Sequence, residues 1–292
     1  MCRMRHPAAL FALGLLAWSA PVDTQTRFSS RTLGVRVDVL VTEGRNPVAG
    51  LTAGDFELRD NGVVQRIESV DATDVPVNAV LALDTSASIA GKRRTDLVGA
   101  GEALLDGLKP VDRAALTTFS HAVAPRISLT PNLGAVREAL QHMAPRGQTA
   151  VMDGLYVALT STLDQSGRFL VVVCTDGTDT SSWLQPSEVL EVAKRTNAVI
   201  YAVTAADAKR SDALKQITDA TGGQVMPVKS SDELRPTFQR ILAEFRSRYV
   251  LAYTPNGVTP GGFHKIDVTV PRRHVTVKAR PGYAGAESGS RP

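Results

Sequence analysis

Apolar and polar residues alternate from Val35 to Thr42, the period of a half-buried strand. A turn-rich stretch, Pro47 to Gly54, follows. Two more strand-like segments, Phe56 to Arg59 and Val63 to Val70, then flank Asp60-Asn61-Gly62. Asn-Gly tolerates positive φ at both central positions of a tight turn, so this stretch predicts a hairpin. Residues 28–76 therefore read as all-β. At Val77 the pattern changes. Val80-Leu81-Ala82-Leu83, Ala114–Phe119, Phe169–Cys174 and Ala198–Val203 are apolar without alternation. Strands of that kind are covered on both faces, as in the middle of a parallel sheet. Helical patterns lie between and after them, at about Thr95–Gly107, Leu133–Met143, Val151–Leu163, Pro186–Thr196, Ser211–Thr221 and Pro236–Arg248. Strand alternating with helix predicts an α/β domain with a doubly wound, mostly parallel sheet over residues 77–250.

Beyond Arg248 the alternation returns, in Tyr249–Tyr253, in Ile266, Val268 and Val270, and in Val275 and Val277. Residues 285–292 hold nothing to bury and read as a disordered tail. Neither β-rich flank, 28–76 or 251–284, is long enough to bury a core alone, whereas the two together are. The expected architecture is an α/β domain inserted into a small β-sandwich built from both ends of the chain.

Composition changes this picture at the N-terminus. Arg3 and Arg5 precede an apolar run from Ala8 to Trp18, followed by Ser19, Ala20 and Pro21. A basic start, a short apolar stretch and small residues match a cleaved signal peptide over 1–19. The run is too short to anchor in a bilayer, and no later stretch reaches membrane-spanning length. The expectation is export to the periplasm or beyond. Half of the net charge of +4 sits in that leader, so basicity gives little reason to expect a nucleic-acid partner. Of 2 cysteines, Cys2 leaves with the leader and Cys174 remains, which excludes a disulfide framework. Cys174 lies in an apolar run and reads as a small core residue.

The chemistry gathers at strand ends. The run ending at Leu83 delivers Asp84-Thr85-Ser86-Ala87-Ser88 into a loop, and Phe169–Cys174 delivers Thr175-Asp176-Gly177. Gly147-Gln148-Thr149-Ala150 lies just before the Val151–Leu163 helix. Ligands of open parallel sheets bind beyond the carboxyl ends of the strands. Asp84, Ser86, Ser88, Thr149 and Asp176 would then share one sheet edge, an oxygen-only set suited to a hard divalent cation such as Mg²⁺. Asp153, one helical turn after Thr149, and Thr175 are candidates for orienting these ligands.

This pattern of Asp-x-Ser-x-Ser, Thr and Thr-Asp-Gly resembles the metal-ion-dependent adhesion site of von Willebrand factor type A (VWA) domains, over about residues 77–250. Gly222-Gly223 also fits that family. The flanks resemble a bacterial secreted subfamily of von Willebrand factor A-related proteins. Its motifs correspond here to Pro47-Val48-Ala49-Gly50-Leu51, Asp55-Phe56, Tyr249-Val250-Leu251-Ala252-Tyr253-Thr254-Pro255 and Gly282-Tyr283. The resemblance implies a binding protein rather than an enzyme. Mg²⁺, alternatively Mn²⁺ or Ca²⁺, would bridge to an Asp or Glu carboxylate of a protein ligand, as in adhesion.

Other readings are weaker. Ser86 and Ser88 taken alone would serve as helix caps. A phosphate loop needs glycine at Ser86 and a hydroxyl at Arg93, and both fail. A metal-dependent hydrolase in the same pocket would need a base, for which Asp153 and His121 are the candidates. A structural subunit of a surface assembly is the third reading.

Overall fold

Two of the apolar runs become adjacent strands in which every residue is buried, Val77–Asp84 and Arg168–Thr175. The computed structural model describes residues 34–72, 75–163, 167–176, 178–206, 211–271 and 274–285. The expected leader, and the expected tail beyond Gly285, lie outside them. In chain order the strands and helices are β1 (Val35–Glu43), β2 (Asn46–Pro47), β3 (Glu57–Asp60), β4 (Val63–Gln65), β5 (Ile67–Asp71), β6 (Val77–Asp84), α1 (Lys92–Asp106), β7 (Arg113–Phe119), β8 (Val123–Thr130), α2 (Leu133–Gln141), α3 (Val151–Thr160), β9 (Arg168–Thr175), α4 (Pro186–Arg195), β10 (Ala198–Ala205), α5 (Asp212–Ala220), β11 (Gln224–Val228), α6 (Leu234–Arg246), β12 (Tyr249–Tyr253), β13 (Phe263–Thr269), β14 (Thr276–Lys278) and β15 (Gly282–Ala284). None of the described helices is long and apolar enough to cross a membrane.

Six strands form the central sheet in the order β11-β10-β9-β6-β7-β8. The first five run parallel, and β8 is antiparallel to β7. One face is covered by apolar residues of α1, α2 and α6, and the other by those of α3, α4 and α5. The sequence pattern does not announce β8 and β11, for a common reason. Each is an outermost strand and each contains a proline, Pro125 or Pro227, which cannot donate to a ladder and is tolerated at an edge. The expected Pro236 helix begins two residues earlier, at Leu234. Pro236 stays within the first turn, where its missing N–H costs nothing.

Two further sheets pair strands from both ends of the chain. One has the order β14-β1-β12-β5, with β2 on β1, and the other β15-β13-β3-β4. Apolar residues of both sheets, among them Val37, Leu58, Leu251 and Val268, share one core. The expected single strand Val63–Val70 is divided at Arg66. Its first half pairs with β3 and its second half with β12, so the chain changes sheets there. Asn61 and Gly62 both have positive φ, 46° and 84°, as the Asn-Gly turn requires.

The motif tyrosines explain the flanking sequence. Tyr249 donates its hydroxyl to Val48 O at 2.8 Å and accepts from Leu51 N at 3.1 Å, which fastens the Pro47–Leu51 turn. Asp60, fully buried, accepts from the hydroxyls of Tyr253 and Tyr283 and pairs with His264 Nδ1. Burial pushes the Tyr283 hydroxyl up to about 12. Gly223 is needed for close approach, because a Cβ there would fall 1.8 Å from Ile200 O.

The flanking sheets are joined to the α/β part by buried arginines. Arg168, at the start of β9, pairs with Asp38 of β1 and donates Nη2 to Phe245 O at the end of α6. Arg280 donates to Lys194 O and Thr196 O at the end of α4.

Candidate metal centre

Because β6 and β9 are parallel neighbours, with Leu83 opposite Cys174, their carboxyl ends emerge side by side. Asp84 is fully buried there. Its Oδ1 accepts from Ser86 N at 2.7 Å and its Oδ2 from Thr175 Oγ1 at 2.7 Å. Burial raises the Asp84 pKa above the usual carboxylate range, against the hydrogen bonds from Ser86 and Thr175, and the nearby Asp176 charge raises it further. Two carboxylates at one buried strand end make a place where positive charge is favoured.

Ser86 has extended backbone, φ −67° and ψ 168°, before a short 3₁₀ turn at Ala87–Ile89. That geometry brings Ser86 Oγ and Ser88 Oγ to 3.0 Å of one another, and Ser88 Oγ donates to Asp176 Oδ1 at 2.8 Å. Three oxygens from two loops are thus in a chain of short contacts. In an octahedron with metal–oxygen distances of about 2.1 Å, neighbouring ligand oxygens lie about 3.0 Å apart. The spacing and the chemistry of the donors therefore fit a Mg²⁺-like ion. Among the described residues no group of three or more His, Cys, Asp and Glu side chains gathers anywhere, so the hydroxyls carry the distinctive signal.

Thr149 reaches this edge through its backbone. Arg146 N donates to Thr85 O and Ala87 N to Gly147 O, which lays the 146–150 segment against the serine loop. Thr149 O accepts from Thr180 N and Ser181 N. Of the five sequence-derived ligands, Ser86, Ser88 and Asp176 are linked side chain to side chain. Asp84 meets Ser86 through its N–H, and Thr149 is held beside them.

Asp153 is directed elsewhere. It accepts from Trp183 N at 3.0 Å and 3.1 Å and from Leu184 N at 2.9 Å. Asp179 and Ser182 in turn accept from Met152 N, the second residue of α3. The 179–184 loop is therefore fastened to the start of α3. His121 is exposed and lies against Gly147, with Nδ1 3.4 Å from Ser120 Oγ. Cys174 is buried, which pushes its thiol well above the usual range and leaves it unreactive.

Sequence reasoning missed one residue here. Arg93 Nη1 donates to Asp176 Oδ2 at 2.6 Å, so a guanidinium sits on the carboxylate that Ser88 also contacts. The available signal was its place in the first turn of α1, directly after the serine loop, where a cation has no favourable helix-dipole interaction.

Comparison with known proteins agrees with the geometry. Residues 78–240 match the model of the von Willebrand factor type A domain. Among solved structures the chain is similar to a von Willebrand factor type A protein from Catenulispora acidiphila, with 14% identity and a TM-score of 0.55, covering 85% of this chain and 76% of that one. It is also similar to proximal thread matrix protein 1 from the mussel byssus, with 16% identity and a TM-score of 0.53, covering 64% of this chain and 50% of that one. At these identities the likeness is one of fold. The family model spans more than half of the residues, including all five oxygen donors at the sheet edge, and on that ground the chain belongs to the von Willebrand factor type A domain family.

Proposed function

We propose that the protein is an exported, metal-dependent protein-binding module. Asp84, Ser86, Ser88, Thr149 and Asp176 hold one divalent cation, Mg²⁺ or alternatively Mn²⁺ or Ca²⁺, and Thr175 positions Asp84. When bound, the ion supplies positive charge to an Asp or Glu carboxylate of a partner protein. The observation that carries this reading is the run of hydroxyl and carboxylate oxygens, 2.8–3.0 Å apart, between Ser86, Ser88 and Asp176. The exposed Arg146 beside the serine loop suits an acidic partner. The apolar leader and the lone Cys174 support export, and similarity to a byssus matrix protein agrees with a role in protein contacts. We read the terminal sheets as one small β-sandwich that carries the inserted domain. A hydrolase in the same place would keep only His121 of its two candidate bases, because Asp153 is taken up by the N–H groups of Trp183 and Leu184.

The test is calorimetric titration of the intact chain with Mg²⁺. One saturable site, reversed by a chelator, is expected. Absence of binding by Mg²⁺, Mn²⁺ and Ca²⁺ alike would overturn the proposal. Arg93 competes with the cation for Asp176, so Arg93→Gln is expected to tighten Mg²⁺ binding by about twofold to fivefold, the scale of an exposed ion pair. An unchanged or weaker affinity would show that the guanidinium does not oppose the ion.

A further inference from the structure

Trp183 is 91% exposed, an unusual state for the largest apolar side chain. Mobility does not account for it. Its own N–H and that of Leu184 are bonded to Asp153, and Ser182 before it bonds to Asp179 and to the first turn of α3. The loop that carries the exposed indole is thus fastened at its backbone. That loop is continuous with the candidate metal centre, since Thr180 and Ser181, just before it, bond to Thr149 O. Ser182 and Leu184, the two neighbours of Trp183, line a cleft of about 370 Å³ whose walls include Val151, Met152, Pro186 and Leu214.

We propose that the metal edge and the Trp183 cleft form one two-point docking surface. Its occupant is a segment of another protein that carries an Asp or Glu and, a few residues away, a bulky aliphatic or aromatic side chain. The carboxylate goes to the metal edge. The apolar side chain covers Trp183 and enters the cleft. Two observations select this occupant. The exposed Arg146 flanks the serine loop and complements an acidic segment, beside Arg93, whose charge is shared with Asp176. The cleft is lined by those apolar residues together with the polar Thr178, Asp179, Gln185 and Ser211, so it takes an apolar side chain along with the polar backbone of the segment that carries it. Tryptophan is among the residues enriched where binding energy concentrates at protein interfaces. This inference rests on the proposed metal function for the first of its two points.

The chain has 2 tryptophans, Trp18 and Trp183. In the full chain carrying Trp18→Phe, emission therefore reports Trp183 alone. The probes are glycine-based heptapeptides with one Asp and one Leu placed one to four residues after it, together with matched peptides carrying Asp→Asn or Leu→Gly. In Mg²⁺ buffer at least one Asp–Leu spacing is expected to shift the emission to the blue. The Leu→Gly peptide should bind about tenfold more weakly, and the Asp→Asn peptide should not bind. Calorimetry on Trp183→Ser should show at least a tenfold loss of peptide affinity with Mg²⁺ affinity unchanged. Equal binding of the peptides to Trp183→Ser and to the parent, a response to none of them, or a response to chitotriose in their place overturns the docking surface. Leu-dependent binding that persists in chelator and ignores Asp→Asn overturns the two-point arrangement and counts against the metal reading. Normal Mg²⁺ binding with no effect at Trp183 leaves the metal reading standing and removes only this inference.

Discussion

Arg168→Ala is expected to lower the unfolding free energy by about 3–5 kcal/mol, the cost of stranding one member of a buried ion pair. Only 5% of the Arg168 side chain and 12% of the Asp38 side chain is exposed. The guanidinium also donates to Phe245 O and Arg248 O and lies 4.1 Å over the ring of Phe245. Its removal strands the Asp38 carboxylate and takes one donor from each of the two carbonyls, at the place where β1, β9 and the end of α6 meet. Urea unfolding followed by circular dichroism should show a lower midpoint with an unchanged slope. Arg168→Lys keeps the charge without the planar fork and should fall between the two. Combining Arg168→Ala with Asp38→Asn should cost less than the sum of the single changes, because the carboxylate is no longer stranded. A loss below about 1 kcal/mol for Arg168→Ala would mean that water replaces the pair at little cost.

Asp84→Asn should separate function from stability. Mg²⁺ affinity is expected to fall about 10–100-fold or more, as when a carboxylate that holds or orients a metal ligand is removed. Stability of the metal-free protein should change by less than about 1 kcal/mol. The side-chain amide fills the same space. Its oxygen can still accept from Ser86 N, and its NH₂ can donate to Thr175 Oγ1, which accepts as readily as it donates. The substitution also removes a charge that burial and Asp176 both disfavour. Thermal melts in chelator should therefore coincide with those of the parent, while melts in Mg²⁺ should rise for the parent alone. Unchanged Mg²⁺ affinity in Asp84→Asn would remove Asp84 from the site.

Most of the central sheet was legible in the sequence, because burial on both faces leaves continuous apolar runs such as Phe169–Cys174. The edge strands β8 and β11 were not, since one-sided exposure and a proline erase that run. The hairpin at Asn61-Gly62 was legible because the turn demands positive φ, whereas the change of sheet at Arg66 was not, because it is set by which distant strand each half meets. At the site, Ser86 and Ser88 could be read together from their spacing, although only Ser86 is extended and it is the 3₁₀ turn at Ala87–Ile89 that brings their hydroxyls together. Asp153 could be singled out as one turn beyond Thr149, but its actual partners are thirty residues further along the chain.

The sequence by itself determined the order of buried strands and helices and the oxygen donors that follow β6 and β9. These depend on local periodicity and on the rule that parallel strands end at one edge. Only the tertiary structure decided that Arg93 rests on Asp176, that Arg168 reaches Asp38 across 130 positions of chain, and that Asp153 binds the backbone N–H of Trp183. A hydrogen bond between distant residues needs its two atoms within about 3 Å and well aligned. Packing of whole elements sets that distance, and no local pattern of residues encodes it.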